Sequence, residues 1–277
     1  MQVTLPAIAF GGSARTAPIP PAGDPWSAWY RAVALGGGGR YAAAGAELDR
    51  IERADTVDVL RSLAASTRAA HLRQAGRHDL AVSHDARALV LAAGCELEND
   101  GSGESVRGAA LCDALTGLAA DDLGRGMFGA SRRLLDRVKE SLTARAEAAL
   151  TPGDWVWTER PALRLHWVEA ELAMYTGDPA RAIEHARAAS EISGRCQSVR
   201  HRIKTDLIGA AAAASAGDVP TATARALRVS DEAARFGQLP LQWAAAKLLD
   251  GIGGGARWVE QVEDLRHELA KWGGAMQ

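Results

Sequence analysis

His166 and Glu169 stand three residues apart, the spacing at which one helix face offers two metal ligands. A carboxylate-bridged metal pair needs two such sets, and the sequence holds one. His78, His84 and Asp85 are close in sequence, but they read as turn-packing and solvated residues. "ADDLG" (120–124) places two carboxylates on different faces of a helix, with no visible partner for either. "HELAK" (267–271) lacks the second His of a zinc-protease motif, and no Gly-x-Ser-x-Gly elbow occurs. The run of four glycines at 36–39 is followed by Arg40, not the Lys-Ser/Thr of a phosphate loop, so it reads as a slack turn. No acid, base and nucleophile converge. The expectation is a protein with no catalytic residues, no metal and no cofactor, hence no enzyme.

Composition narrows the class. Apolar residues make up 47% of the 277, enough to exclude a disordered chain. Alanine abounds while aromatic and β-branched residues are sparse, which favours helix. A formal charge of −2 argues against a general polyanion binder, and no uninterrupted apolar run reaches membrane-spanning length. Nucleic acid and membrane are therefore not expected as partners. The three cysteines are scattered without a paired spacing, which fits a reducing cytoplasm. The Pro-containing first 23 residues read as an extended arm leading into a domain over 24–277.

The elements emerge from an internal repeat. Gly39, Gly76, Gly126, Gly177 and Gly217 each follow a helical stretch. Seven residues before them stand Ala32, Ala69, Ala119, Ala170 and Ala210; five after stand Ala44, Ala81, Ser131, Ala182 and Ala222. Two antiparallel helices joined by a short turn approach closely only where side chains are small. Glycine supplies the left-handed residue that ends the first helix. One such pair cannot bury its apolar face alone, whereas stacked pairs can. The polar stretch 94–108 reads as an exposed loop between pairs. The segment 150–162, broken by prolines, reads as a spacer whose two tryptophans pack somewhere. After Gly237 a last pair (238–277) carries Trp258, Val262, Leu265, Leu269 and Trp272 on one stripe, suited to capping the stack or to self-association as a homodimer.

"GRYAAAGAELDRI" (39–51) and "GDPARAIEHARAA" (177–189) resemble the turn and second helix of the tetratricopeptide repeat (TPR) family. The likeness spans roughly residues 24 to 235. The glycine-to-glycine steps are uneven, the closing proline of each unit is absent, and Asp85, Asp122 and Asp206 stand where apolar residues are usual. The resemblance implies an all-α, right-handed α-α superhelix of about five degenerate helix pairs plus the C-terminal capping pair.

In that architecture the first helix of each pair lines a concave surface through residues thirteen, ten and six before the turn glycine. Those positions hold Trp26, Trp29 and Val33; Leu63, Ser66 and Ala70; Asp113, Thr116 and Ala120; Arg164, Trp167 and Glu171; and Lys204, Leu207 and Ala211. Arg73 and Met174 join them three before their glycines. Aromatic and Arg side chains are common anchors at interfaces. Trp26, Trp29, Arg73, Arg164, Trp167, Glu171 and Lys204 are thus the candidate peptide-binding residues, with Trp167 and Arg164 the preferred anchors. Arg195, Arg200 and Arg202, in "SGRCQSVRHRIKTD" (193–206), are candidate anion contacts. The resemblance implies a cytoplasmic scaffold that binds a protein or peptide in its groove. The alternative is a regulatory protein whose groove takes a small molecule or signalling peptide. An enzyme comes third. An open, evenly lined groove favours the first reading; a deep apolar pocket holding a buried carboxylate or His favours the second or the third.

Overall fold

The computed structural model describes residues 4–12, 18–95, 102–147 and 154–276. Among them every regular element is an α-helix. Six consecutive pairs form the body: α2 (Pro25–Gly37) with α3 (Tyr41–Arg53), α4 (Asp58–Gln74) with α5 (His78–Gly94), α6 (Ser102–Gly124) with α7 (Phe128–Glu147), α9 (Arg160–Tyr175) with α10 (Pro179–Arg195), α11 (Val199–Ser215) with α12 (Val219–Arg235), and α13 (Leu239–Gly251) with α14 (Ala256–Lys271). Two short helices, α1 (Leu5–Phe10) and α8 (Trp155–Thr158), stand outside the pairing. No described helix is long and apolar enough to cross a membrane.

The five repeat glycines share one conformation, with φ between 75° and 80°. In each turn the residue after the glycine donates its N–H to the carbonyl five residues back: Arg40 to Leu35, Arg77 to Leu72, Met127 to Asp122, Asp178 to Ala173 and Asp218 to Ala213, at 2.7–3.0 Å. This is the Schellman closure, which satisfies carbonyls that a helix end leaves orphaned. Gly237 and Gly253 close α12 and α13 in the same way. Where the turn reads Gly-Asp, the aspartate then caps the next helix. Asp178 accepts from the Arg181 amide and Asp218 from the Thr221 amide, with proline in the first turn of each helix.

All ten small residues seven before and five after the five glycines are fully buried. The second-helix residues twelve after them, from Ile51 to Val229, are buried too. Each hairpin therefore closes on alanine (or Ser131) and turns larger apolar residues toward its neighbours.

Three segments differ from the sequence reading. The N-terminal stretch is not simply extended: α1 begins at Leu5 with proline in its first turn, and Leu5, Ala9 and Phe10 are buried. Phe10 packs against Trp29, Tyr30, Trp155 and His201, so α1 bridges α2 and α11. The polar stretch 94–108 is shorter as a loop than expected, because α6 starts at Ser102; residues 96–101 lie outside the described residues. Of the 150–162 spacer, 150–153 also lie outside, and the rest forms α8 and the start of α9. Its tryptophans do pack: Trp157 stacks on Trp29 with ring centroids 5.5 Å apart.

The last pair packs back onto the first, so the row of pairs closes on itself. The Ala42 amide donates to the Trp272 carbonyl at 2.9 Å. Leu269, fully buried, sits with Tyr41, Ala75 and Met276. The remaining stripe of α14 (Trp258, Val262 and Leu265) packs on Leu249 of α13, while Trp272 stays exposed beneath the Arg40 guanidinium. The glycine run at 36–39 is therefore no slack turn. A β-carbon on Gly36 would stand 1.9 Å from the His71 ring, and one on Gly39 would stand 2.5 Å from Leu269. Glycine is needed here because three distant parts of the chain meet on this one stretch of backbone.

Candidate ligand-binding cavity

The first helices α2, α4, α6, α9, α11 and α13 contact one another in that order. Together they line a cavity of about 610 Å³. That is within the size range of small-molecule sites.

Of the inward positions read from the sequence, Trp29 and Val33, Ser66 and Ala70, Asp113, Thr116 and Ala120 all line this cavity. So do Arg164, Trp167 and Glu171, Lys204, Leu207 and Ala211, and the two residues nearer the turns, Arg73 and Met174. Two inward positions do not reach it. Leu63 is buried in the core beside Leu60, and Trp26 packs edge-on against Trp29 and Trp157. Of the basic cluster, only Arg200 and Lys204 face the cavity. Arg195 is exposed and donates to the Glu191 carbonyl, while Arg202 donates to the Cys196 carbonyl. Sequence reasoning missed Arg160, one turn before Arg164, as well as His71, His201 and the α13 residues Pro240, Trp243 and Leu248. Arg160 and Arg200 both stand seventeen before their glycines, so extending the inward pattern by one turn would have found them.

The two large aromatics are engaged by the protein itself. Trp29 and Trp167 are nearly buried. Each donates its indole N–H at 3.0 Å to a threonine 38 residues further on, Thr67 and Thr205. Each threonine in turn donates to the carbonyl four residues before it. Both indoles thus bolt one inner helix to another while still lining the cavity.

Charge in the wall is organised in three groups. Asp113 accepts a bidentate pair of bonds from Arg160 (3.1 and 2.6 Å) and another from Arg164. Burial pushes the Asp113 carboxyl up, but the two guanidiniums outweigh it and hold the carboxyl below its ordinary value. Opposite in composition, Arg73 lies between two fully buried carboxylates, Asp85 and Asp121. Burial is the main force pushing Asp85 up to about 7; Asp121 adds to it and Arg73 opposes. One oxygen on each aspartate, Asp85 Oδ1 and Asp121 Oδ2, lacks a partner. The group accordingly favours holding one proton in place of two full negative charges. Gly117 makes room for it, since a β-carbon there would meet the Asp85 carboxylate at 2.2 Å.

The third group is Arg200, Lys204 and Glu171. Among the described residues none of the three forms an ion pair or a side-chain hydrogen bond. Lys204 rests over the Trp167 ring at 5.1 Å. Burial lowers the pKa of Arg200 and of Lys204; Glu171 works against this for Lys204, while neighbouring guanidiniums reinforce it. Both side chains are half-buried on the cavity wall. Two histidines of the wall are held neutral: burial, with Arg200, Arg68 and Arg73 nearby, takes His71 down to about 3, and burial with Arg200 nearby takes His201 well below its ordinary value.

His166 and Glu169 lie outside the cavity. Glu169 is fully buried and pairs with Arg132 and Lys139, while the His166 and His185 Nδ1 atoms are 3.0 Å apart. No cluster of three or more His, Cys, Asp or Glu able to hold a metal ion occurs among the described residues. The sequence matches no protein-family model and no curated protein.

Proposed function

We propose that this chain is a non-catalytic binding protein that encloses a small molecule or short peptide in its central cavity, within a TPR-like, right-handed superhelix closed at its ends. The supporting observation is the cavity itself, about 610 Å³ lined by charged and apolar side chains of the six first helices, with the last pair packed back on the first. An extended protein partner needs an open groove along which to lie. A cavity of this size, lined by the buried Asp113 carboxylate and the neutral His71 and His201, suits a compact ligand and a regulatory response to it. The helix pairs that carry the wall are also the elements such a ligand would draw together or spread.

The test is native mass spectrometry of the full chain purified without denaturation. The expected result is one small molecule or short peptide per chain, released on unfolding and rebinding to stripped protein. Stripped protein that rebinds none of the released material, while the full chain forms a stable complex with a large protein, would overturn the reading in favour of the scaffold.

A further inference from the structure

The wall is polarised along its axis. In the inner helices, residues seventeen and thirteen before the turn glycine lie at one end, and residues three before it lie at the other. The first end holds Arg160, Arg164, Arg200 and Lys204 against the single carboxylate of Asp113, four positive charges less one, or +3. Nearer the turns the wall carries Arg73 and Glu171, and the buried Asp85 and Asp121, which do not line the cavity, pair with Arg73 from behind it.

Asp113 already answers Arg160 and Arg164. Arg200 and Lys204 form no ion pair among the described residues, although Glu171 lies close enough to favour the charged form of Lys204. They are four residues apart on one face of α11, where like charges oppose each other. Both are half-buried; like charges drawn partly out of water without an ion-pair partner are unfavourable, so the empty protein holds this pair at a cost to its own stability. Both are held in position: the Arg200 stem passes 3.2 Å from where a Gly37 β-carbon would stand, and Lys204 lies on Trp167. Beyond them, toward the turns, Leu207, Ala211, Met174, Leu123 and Leu248 give the wall an apolar stretch.

We infer that the ligand is a monoanionic amphiphile, an acid head bound between Arg200 and Lys204 with an apolar body lying along the axis toward Leu207 and Met174. Glu171, on the far side of Lys204, disfavours a second negative charge on that body. This rests on the reading of the cavity as a ligand site and adds the chemistry of what it holds.

The test uses two fluorescent probes that differ chiefly in charge: 8-anilinonaphthalene-1-sulfonate, and N-phenyl-1-naphthylamine, which lacks the sulfonate. The full chain is expected to bind one sulfonate per molecule at least about tenfold more tightly than the neutral probe, the size of one charge-assisted hydrogen bond. Octanoate should displace it and octanol should not. Lys204→Met and Arg200→Gln should each reduce sulfonate binding by about tenfold, leave the neutral probe unaffected, and raise the melting temperature of the ligand-free protein. Equal affinity for the two probes overturns the acid assignment and leaves the cavity reading standing. So does a preference that survives in both variants. Failure of the folded chain to bind either probe overturns both. A fall in melting temperature in both variants shows these charges to be satisfied within the protein and also overturns the inference.

Discussion

The Trp167 indole nitrogen donates to the Thr205 hydroxyl at 3.0 Å, and that hydroxyl donates onward to the His201 carbonyl. The aromatic residue with the best claim to grip a partner thus spends its only donor on holding α9 to α11. Trp167→Ala should cost about 3–5 kcal/mol in urea denaturation, the range for a large buried aromatic. Trp167→Phe keeps most of the packing and leaves Thr205 its bond to His201, so it should cost about 1 kcal/mol. Equal urea midpoints for Trp167→Ala and the parent would place the ring outside the core.

Ala170 and Ala182 belong to one buried cluster across the Gly177 turn. Ala182→Leu should overpack this hairpin and lower stability by roughly 1–3 kcal/mol. A variant with an unchanged urea midpoint would show that the two helices have room to separate there.

Leu269 is the side chain on which the closure of the ring depends most. Leu269→Ala should cost about 2–5 kcal/mol. It should also weaken whatever the cavity binds, although the residue does not line it. Titration of the neutral naphthylamine probe into the variant checks the second effect; unchanged affinity would mean that the wall keeps its shape without the seam.

Asp85 gives the protein a signed pH response. Its pKa rises from 3.8 to about 7 on folding. The contribution from protonated Asp85 is fully present below about pH 4 and is lost as pH rises through 7. Asp85→Asn should remove that slope, so the variant should gain on the parent by on the order of a few kcal/mol between pH 4 and 8. Urea midpoints across that range read the difference directly. Parallel curves would mean that Arg73 keeps Asp85 ionised throughout.

Much of the fold was legible because a few positions admit few residues. A backbone at φ near +77° selects glycine, so Gly39, Gly76, Gly126, Gly177 and Gly217 announced the hairpins. Close helix approach selects alanine, and counting back from each glycine gave a little under half of the cavity wall. Long-range pairings leave no such mark. Nothing near Trp272 signals Ala42, and the glycines at 36–39 looked slack because the His71 and Leu269 side chains that press on them lie far along the chain. Asp85 looked like a departure from an apolar position until Arg73 and Asp121 appeared beside it. The helix α1 was hidden by the prolines around it, though its stretch from Leu5 to Phe10 is almost wholly apolar.

The seam between α3 and α14 also sets an order of events in folding. Neighbouring hairpins meet after loops of a few residues, and such local contacts form quickly. The Ala42–Trp272 bond joins residues 230 positions apart (272 less 42), so its loop-closure entropy falls due only when every other pair is in place. Refolding should therefore show a fast phase that gains helix and a slower one that brings the two ends together. In the folded protein the Ala42 amide should exchange its hydrogen sooner than the amides of α9 and α10, because the ring can part at its join while the hairpins stay intact.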